Sequence, residues 1–215
     1  MSKISAFLFD MDGTLIDTEC YYRRCWPAAL KVFGYTMTDE QALLMRSLGR
    51  PYAPKLLQEW FGDALDYWQV RDRRKAIMEE MIAREGIRVK PGAVELLTCL
   101  NERGIARAVV TATDAERAER YLKQVGLEPY FDAVIGATSV ERGKPAPDIY
   151  EYACGRLGRA PEECVAVEDS PNGVRSAYGA GMRVIMVPDQ TEPDEELNGI
   201  LWKCVPSLDR IRECL

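Results

Sequence analysis

The sequence predicts an α/β protein in which a doubly wound parallel sheet forms the core and an α-helical cap domain is inserted. From about residue 88 onward, short and nearly continuous apolar runs alternate with helical patterns, which is typical of parallel strands covered by helices on both faces. Residues 18–84 are instead rich in helix-forming residues and contain no convincing strand. We therefore expect a core domain made of residues 1–16 and 87–215 and a helical cap domain made of residues 17–86.

The elements follow from periodicity and from capping or breaking residues. The first strand is the apolar run 4–9, which ends at a glycine-containing turn. Four helices are predicted in the insert, at 21–33, 41–48, 51–61 and 66–84. The second half is predicted to contain strands at 105–111, 133–135, 164–167 and 183–187, the last being the final strand. Its helices are predicted at 91–103, 114–125, 147–157, 171–180 and 207–215.

The bulk composition excludes several classes of function. A net charge of −6 argues against nucleic acid and anionic membrane surfaces as partners. No apolar stretch approaches the ~18 residues of a membrane span. The seven cysteines are scattered and form no Cys-x-x-Cys pair, which predicts free thiols in a reducing cytoplasm. The first strand starts too early to leave room for a signal peptide, which also favours a cytoplasmic protein. No histidine is present, so any chemistry must use carboxylates, Lys, Arg, hydroxyls and metal.

The first strand delivers two carboxylates, Asp10 and Asp12, onto a glycine-containing loop. In a parallel α/β sheet, ligands bind at the carboxyl ends of the strands. Two acids brought together there resist joint ionisation unless a cation or a proton intervenes, and a hard divalent metal such as Mg2+ suits them. One carboxylate would remain free to act as a nucleophile. The alternative interpretation is a helix cap or a solvated turn.

Three later strand ends carry polar residues that complete this set. Thr111, with the backbone amides at Ala112 and beyond, suits a phosphate oxygen at a helix N-terminus, although a helix cap is the simpler interpretation. Lys144 follows the third strand in a loop stiffened by two prolines, which we expect to hold the lysine at its crest. Glu168 and Asp169 form a second acidic pair after the fourth strand. Together the set matches aspartyl-phosphate chemistry.

These four motifs, in this order, resemble those of the haloacid dehalogenase (HAD) superfamily over essentially the whole chain. The insert resembles the cap of the subgroup that contains β-phosphoglucomutase and phosphoglycolate phosphatase. The resemblance implies a Rossmann-like core in which Asp10 is the nucleophile and Asp12 the general acid and base. It also implies that Thr111 and Lys144 hold the transferring phosphoryl group. Mg2+ would be held by Asp10, the Asp12 backbone carbonyl and Asp169, with Glu168 nearby or bound through water.

The resemblance leaves phosphatase and mutase activities open, and the cap bears on the choice. Tyr22 stands where family mutases carry a histidine, and Asp114 and Ala115 stand where they carry a lysine and an asparagine that grip a distal phosphate. An aspartate there would repel a phosphate. Gly49 and Arg50 do resemble the gripping arginine of the mutases. Two departures against one match favour a phosphatase acting on small monoesters of sugars or polyols.

Further cap residues and competing classes complete the expectations. We suspect that the cap contacts the substrate through tyrosines and arginines, namely Tyr21, Tyr22, Arg23, Arg46 and Arg50. A receiver domain of a signalling protein has a similar inventory but lacks a second acid two residues after the acceptor and lacks the insert. A binding protein without turnover is a further alternative. We expect a monomer whose partner is a small phosphorylated metabolite.

Overall fold

The computed structural model describes residues 3–215. Its centre is a parallel six-stranded sheet, confirming the predicted α/β class. The strands are β1 (Ala6–Phe9), β2 (Ala106–Val110), β3 (Ala133–Ile135), β4 (Cys164–Glu168), β5 (Arg183–Met186) and β6 (Lys203–Cys204). Their order is β3-β2-β1-β4-β5-β6, so the chain reverses direction across the sheet between β1 and β4. Ligands of such sheets bind at that switch point, beyond the carboxyl ends of the strands.

The central strands are apolar because helices cover both faces of the sheet. Phe7 and Phe9 of β1 point into one buried cluster, and Ala6 and Leu8 point into another on the opposite face. All four side chains are fully buried. Successive side chains of a strand point to opposite faces, so a run without polar interruptions requires a hydrophobic layer on each side.

Helices flank the sheet and fill the segment between β1 and β2. Four of them follow β1: α1 (Glu19–Val32), α2 (Asp39–Leu44), α3 (Tyr52–Phe61) and α4 (Tyr67–Glu85). The others connect the later strands: α5 (Ala93–Glu102), α6 (Ala115–Gln124), α7 (Asp148–Leu157), α8 (Pro171–Gly179) and α9 (Glu195–Ile200). None of these helices combines the length and the apolar composition that crossing a membrane requires.

The helices α1–α4, here called the helical insert, bury a hydrophobic cluster of their own. Trp26, Leu30 and Leu57 are among its buried members. The chain leaves the sheet and returns to it through two adjacent segments. The Asp17 amide donates to the Arg88 carbonyl at 2.8 Å, and the Lys90 amide donates to the Leu15 carbonyl at 2.9 Å. We propose that the boundary between residues 1–16 plus 87–215 and residues 17–86 passes through this crossing.

Three local predictions differ from the structure. The second helix ends at Leu44 rather than at residue 48, and Ser47 has a φ of 51°, in the left-handed region that interrupts a helix. The strand at 183–187 is not the last, because α9 and β6 follow it. The strand β6 has only two residues and is defined by its pairing with β5, beside which the Trp202 amide donates to the Val184 carbonyl at 2.9 Å. A strand this short has no sequence pattern from which it could be predicted. The closing segment is a 3-10 helix, Leu208–Cys214.

Candidate active site

Three carboxylates meet at the carboxyl ends of β1 and β4. Asp10 follows β1, Glu168 ends β4, and Asp169 follows it. The three side chains are almost wholly buried, and one oxygen of each lies within 4.8 Å of the others. These three residues are called the acidic end of the site. They are brought together because β1 and β4 are neighbours in the sheet and the Asp10 amide donates to the Val167 carbonyl at 2.9 Å.

Lys144 lies between two of these carboxylates. Its Nζ donates to Asp10 Oδ1 at 2.6 Å, to Glu168 Oε1 at 2.6 Å and to the Val110 carbonyl at 2.9 Å. The lysine was expected at the crest of a loop but is fully buried instead. Burial alone would lower the pKa of Lys144, but the charges of Asp10 and Glu168 outweigh it and raise the pKa. The ammonium therefore stays protonated and neutralises part of the acidic end.

Lys144 does not satisfy the whole acidic end. Asp10 Oδ2 and Glu168 Oε2 are buried and have no hydrogen-bond partner among the described residues. Burial raises the pKa of Asp10 well above its usual range, although the Lys144 charge opposes this shift. Tyr150, which the sequence did not single out, donates to the other oxygen of Glu168 at 2.5 Å. The acidic end is therefore a cluster of hard oxygen atoms that could bind a metal ion.

The Asp12 carboxylate accepts hydrogen bonds from three hydroxyl groups. Thr18, Thr113 and Thr111 donate to it at 2.6, 2.8 and 3.2 Å. The Asp12 side chain is not a member of the acidic cluster, and the metal contact through its backbone carbonyl stays a prediction. The Thr111 hydroxyl, expected to bind phosphate, contacts Asp12 in this structure and accepts from the Thr113 amide at 3.0 Å.

The helical insert reaches into the acidic end through Arg46. Its guanidinium donates to the Asp169 carboxylate and lies 3.7 Å from Glu19 at the start of α1. Burial raises the pKa of Asp169 to about 7, although the charge of Arg46 lowers it. Asn172 of α8 donates to the Arg46 carbonyl at 2.9 Å. These contacts close the insert over the strand ends.

Gly49 marks the closest approach of the insert to the core. Its amide donates to the Lys144 carbonyl at 2.8 Å, and the Gly143 amide donates to the Arg50 carbonyl at 2.6 Å. A Cβ at Gly49 would lie 2.6 Å from Gly143 Cα, so no side chain fits. The Arg50 guanidinium lies 5.8 Å from the centre of the Trp68 ring. Both residues, expected to contact substrate, thus lie beside the cavity described next and not in its lining.

A cavity separates the acidic end from the helical insert. Asp10, Asp12, Ala112 and Thr113 line it from the core, together with Arg117 of α6. Its other lining residues come from the insert: Glu19, Tyr22, Trp26, Ala42, Met45, Arg46, Ser47, Leu48, Tyr67, Arg71 and Arg74. Of the residues suspected in the cap, Tyr22 and Arg46 reach this cavity, whereas Tyr21 and Arg23 bond elsewhere, to the Gly86 carbonyl and to Asp39.

Three of the residues that line the cavity are arginines of α4 and α6. Arg71 and Arg74 of α4 and Arg117 of α6, here called the arginine wall, all line it. No sequence motif signalled Arg74 or Arg117, because helices from separate parts of the chain bring them together. Asp114, which was expected to repel a phosphate, is not among the residues that line the cavity. Arg71 and Lys75 pair with it at 2.9 and 2.7 Å, and these contacts outweigh burial and lower its pKa.

A family model and several known proteins match this chain over most of its length. The family model of haloacid dehalogenase-like hydrolases matches residues 4–181. Hexitol phosphatase A of Escherichia coli K12 is 37% identical over 186 residues, covering 86% of this chain and 83% of that protein. Fructose-1-phosphate phosphatase YqaB of the same bacterium is 31% identical over 188 residues, covering 86% and 97%. A crystal structure of a CbbY variant from Rhodobacter sphaeroides with xylulose-(1,5)bisphosphate is 30% identical, with a TM-score of 0.82 and coverage of 97% and 96%.

Proposed function

The chain belongs to the haloacid dehalogenase-like hydrolases, and we propose that it is a Mg2+-dependent phosphatase of small sugar or polyol phosphate monoesters. The reaction would pass through an aspartyl phosphate on Asp10. The names of two relatives, a hexitol phosphatase and a fructose-1-phosphate phosphatase, support the substrate class. We further propose that the protein is monomeric. We also propose that it is cytoplasmic, which its seven free cysteines support.

One observation carries the proposal. Asp10 lines the cavity and presents a buried oxygen, Oδ2, that no described residue satisfies, while Lys144 holds its other oxygen at 2.6 Å. A carboxylate used only for structure would have both oxygens satisfied, because an unpaired buried polar group is costly. A nucleophile needs one oxygen free to attack and the other fixed for orientation.

The residues at the acidic end fit Mg2+. Glu168 Oε2 is a hard carboxylate oxygen without a partner, and Asp10 and Asp169 contribute further carboxylates to the cluster. Asp10, Asp169 and the Asp12 carbonyl would hold the ion, with Glu168 beside it. When bound, the ion would neutralise charge on the transferring phosphoryl group and draw the phosphate to the nucleophile.

In the first step, an Asp10 carboxylate oxygen forms a bond to phosphorus as the ester P–O bond breaks. The departing alkoxide takes a proton from Asp12, which lines the same cavity. Lys144 offsets negative charge beside the attacking carboxylate, and the backbone at Thr111 and Ala112 faces the phosphoryl oxygens.

In the second step, Asp12 takes a proton from water, and the water oxygen attacks phosphorus. The bond between phosphorus and the Asp10 oxygen breaks, which restores the carboxylate and releases inorganic phosphate. Thr18, Thr111 and Thr113 fix the Asp12 carboxylate for both proton transfers. Because Arg46 and the insert cover the site, the attacking water must reach phosphorus through the cavity.

The test is phosphate release from hexitol phosphates and fructose 1-phosphate, with Mg2+ and with a chelator. We expect release that requires Mg2+ and that falls by at least about 10^4-fold in Asp10→Asn. Asp63→Asn is the matched control, because Asp63 is an exposed aspartate of the insert. Release that survives Asp10→Asn contradicts the proposed nucleophile. Conversion of β-glucose 1-phosphate to glucose 6-phosphate, dependent on glucose 1,6-bisphosphate and without net release, would instead establish a mutase.

A further inference from the structure

The hydroxyl group of Tyr150, in the first turn of α7, contacts the acidic end. The Tyr150 side chain is fully buried, and its hydroxyl donates to Glu168 Oε1 at 2.5 Å. The same oxygen accepts a second hydrogen bond from Lys144 Nζ at 2.6 Å. A carboxylate oxygen has two lone pairs, so these two donors use both acceptor positions of Oε1.

The other oxygen of Glu168 has no partner. Oε2 is buried, and no residue in the described part of the chain donates to it. An unpaired buried carboxylate oxygen is costly, which indicates a place for a ligand that the chain itself does not supply. Glu168 belongs to the cluster with Asp10 and Asp169, in which one oxygen of each residue lies within 4.8 Å of the others. The two oxygens of Glu168 are therefore unequal, one held by donors and one available to a metal ion.

The backbone of α8 restricts the same carboxylate. A Cβ added at Gly173 would overlap Glu168 Oε2 and Cδ, so the carboxylate packs directly against helix backbone that carries no side chain. Glu168 therefore has little room to move toward α8. Within the space that remains, the rotation of the carboxylate is set by its two donors, Lys144 and Tyr150.

The two donors differ in how much of their hydrogen-bonding capacity Glu168 receives. Lys144 Nζ also donates to Asp10 Oδ1 at 2.6 Å and to the Val110 carbonyl at 2.9 Å, so three acceptors together determine its position. Tyr150 has a single O–H group, and it donates that group to Glu168. The Tyr150 ring centre also lies 5.2 Å from Lys144 Nζ, so the tyrosine packs beside the ammonium group. Tyr150 is therefore the donor whose hydroxyl serves Glu168 alone.

We propose that Tyr150 is a positioning residue for the metal: its hydroxyl holds Glu168 Oε1 and leaves Oε2 available to Mg2+ or to a water bound to the ion. The proposal rests on the proposed Mg2+-dependent function and adds a residue outside the four sequence motifs. Loss of a hydrogen-bond partner of a metal-binding carboxylate typically lowers metal affinity about 10- to 100-fold. Mg2+ requires near-ideal octahedral geometry and Ca2+ accepts flexible geometry, so loss of this orientation should affect Mg2+ more.

The test measures Mg2+ and Ca2+ binding by calorimetry in the unaltered full chain and in Tyr150→Phe, which removes only the hydroxyl. We expect Mg2+ affinity to fall about tenfold or more and Ca2+ affinity to fall less. Tyr121→Phe is the matched control, because Tyr121 is also buried and donates to a glutamate, Glu79 at 2.9 Å, that is outside the acidic cluster. A Mg2+ affinity of Tyr150→Phe within about twofold of the control, or an equal fall for both ions, overturns the proposal.

A second pair of variants tests whether Tyr150 acts through Glu168. In a Glu168→Ala background, Tyr150→Phe should no longer change Mg2+ affinity, because the carboxylate that the hydroxyl positions is gone. The same fall in both backgrounds overturns the proposal. Mg2+-dependent phosphate release by the unaltered protein would leave the proposed phosphatase function standing in that case. An unaltered protein that neither binds Mg2+ nor releases phosphate would overturn both.

Discussion

Asp10 of the acidic end and the arginine wall line one cavity, but the two groups are built in opposite ways. Asp10, Glu168 and Asp169 sit at strand ends, on backbone fixed by the hydrogen bonds of the sheet. Arg74 and Arg117 project from α4 and α6, which belong to the insert and to the core. The sheet therefore fixes the backbone of the acidic end, whereas the arginine wall combines side chains of the insert with one of α6.

Under the proposed function, the acidic end carries out the reaction and the arginine wall contributes to the choice of substrate. The catalytic groups require an invariant geometry, which parallel strand ends supply. A wall that combines two parts of the chain can contribute to substrate selection without changing the reaction. The variants below act on one side or the other, in order of decreasing expected effect.

Removing the cation of the acidic end should have the largest effect. Lys144→Met leaves Asp10 and Glu168 buried without their shared partner, so we expect a loss of about 3–5 kcal/mol in the free energy of unfolding. Urea denaturation with a chelator present measures it. Lys55→Met is the control, since Lys55 is exposed and its contact with Glu59 is worth little. A loss below about 1 kcal/mol for Lys144→Met would mean that the acidic end does not depend on this lysine.

Preventing close docking of the insert should weaken the arginine wall. The added Cβ of Gly49→Ala would meet Gly143, and overpacking of this kind costs about 1–3 kcal/mol, so kcat/KM should fall roughly 5- to 150-fold. Gly155→Ala is the control, because no atom lies within 4 Å of a Cβ at Gly155. An unchanged kcat/KM for Gly49→Ala would show that substrate turnover does not need the docked insert.

Arg46 belongs to the helical insert but contacts the acidic end, so its removal tests how the insert affects the acidic end. Its positive charge lies against Asp169, so Arg46→Gln should tighten Mg2+ binding by about tenfold through the loss of charge repulsion. Titration calorimetry with Mg2+ measures the change, and Arg175→Gln, which removes a partly exposed arginine paired with Glu196, serves as the control. Weaker Mg2+ binding in Arg46→Gln would mean that this arginine instead holds Asp169 in place for the metal.

The smallest effect is expected from one hydroxyl group that links the two sides. Tyr22→Phe loses contacts with Thr113 at 2.8 Å and Arg117 at 3.2 Å but keeps the ring that faces Arg74. One hydrogen bond is worth about 0.5–1.5 kcal/mol, so KM should rise roughly two- to tenfold. Tyr178→Phe, on an exposed tyrosine, should leave KM unchanged. A KM for Tyr22→Phe equal to that of the control would remove the hydroxyl from substrate binding.

The sequence predicts the two sides unequally for a physical reason. Asp10 and Asp169 follow short apolar strands, so a local pattern places them at one edge of the sheet before any contact is known. The parallel sheet was predicted in the same way, and the structure confirms it. Arg74 and Arg117 lie in helices rich in charged residues, where nothing local distinguishes a lining arginine from a solvated one. The burial of Lys144 was missed similarly, because its partners come from β1 and β4.

The most direct test of the account asks whether Asp10 carries the phosphoryl group during turnover. The protein is mixed with fructose 1-phosphate and Mg2+, quenched with acid within one turnover, digested and examined by mass spectrometry. We expect one phosphoryl group on the peptide that contains Asp10, and none on that peptide in Asp10→Asn. Phosphate release at the normal rate with no phosphorylated peptide at any time would contradict the account.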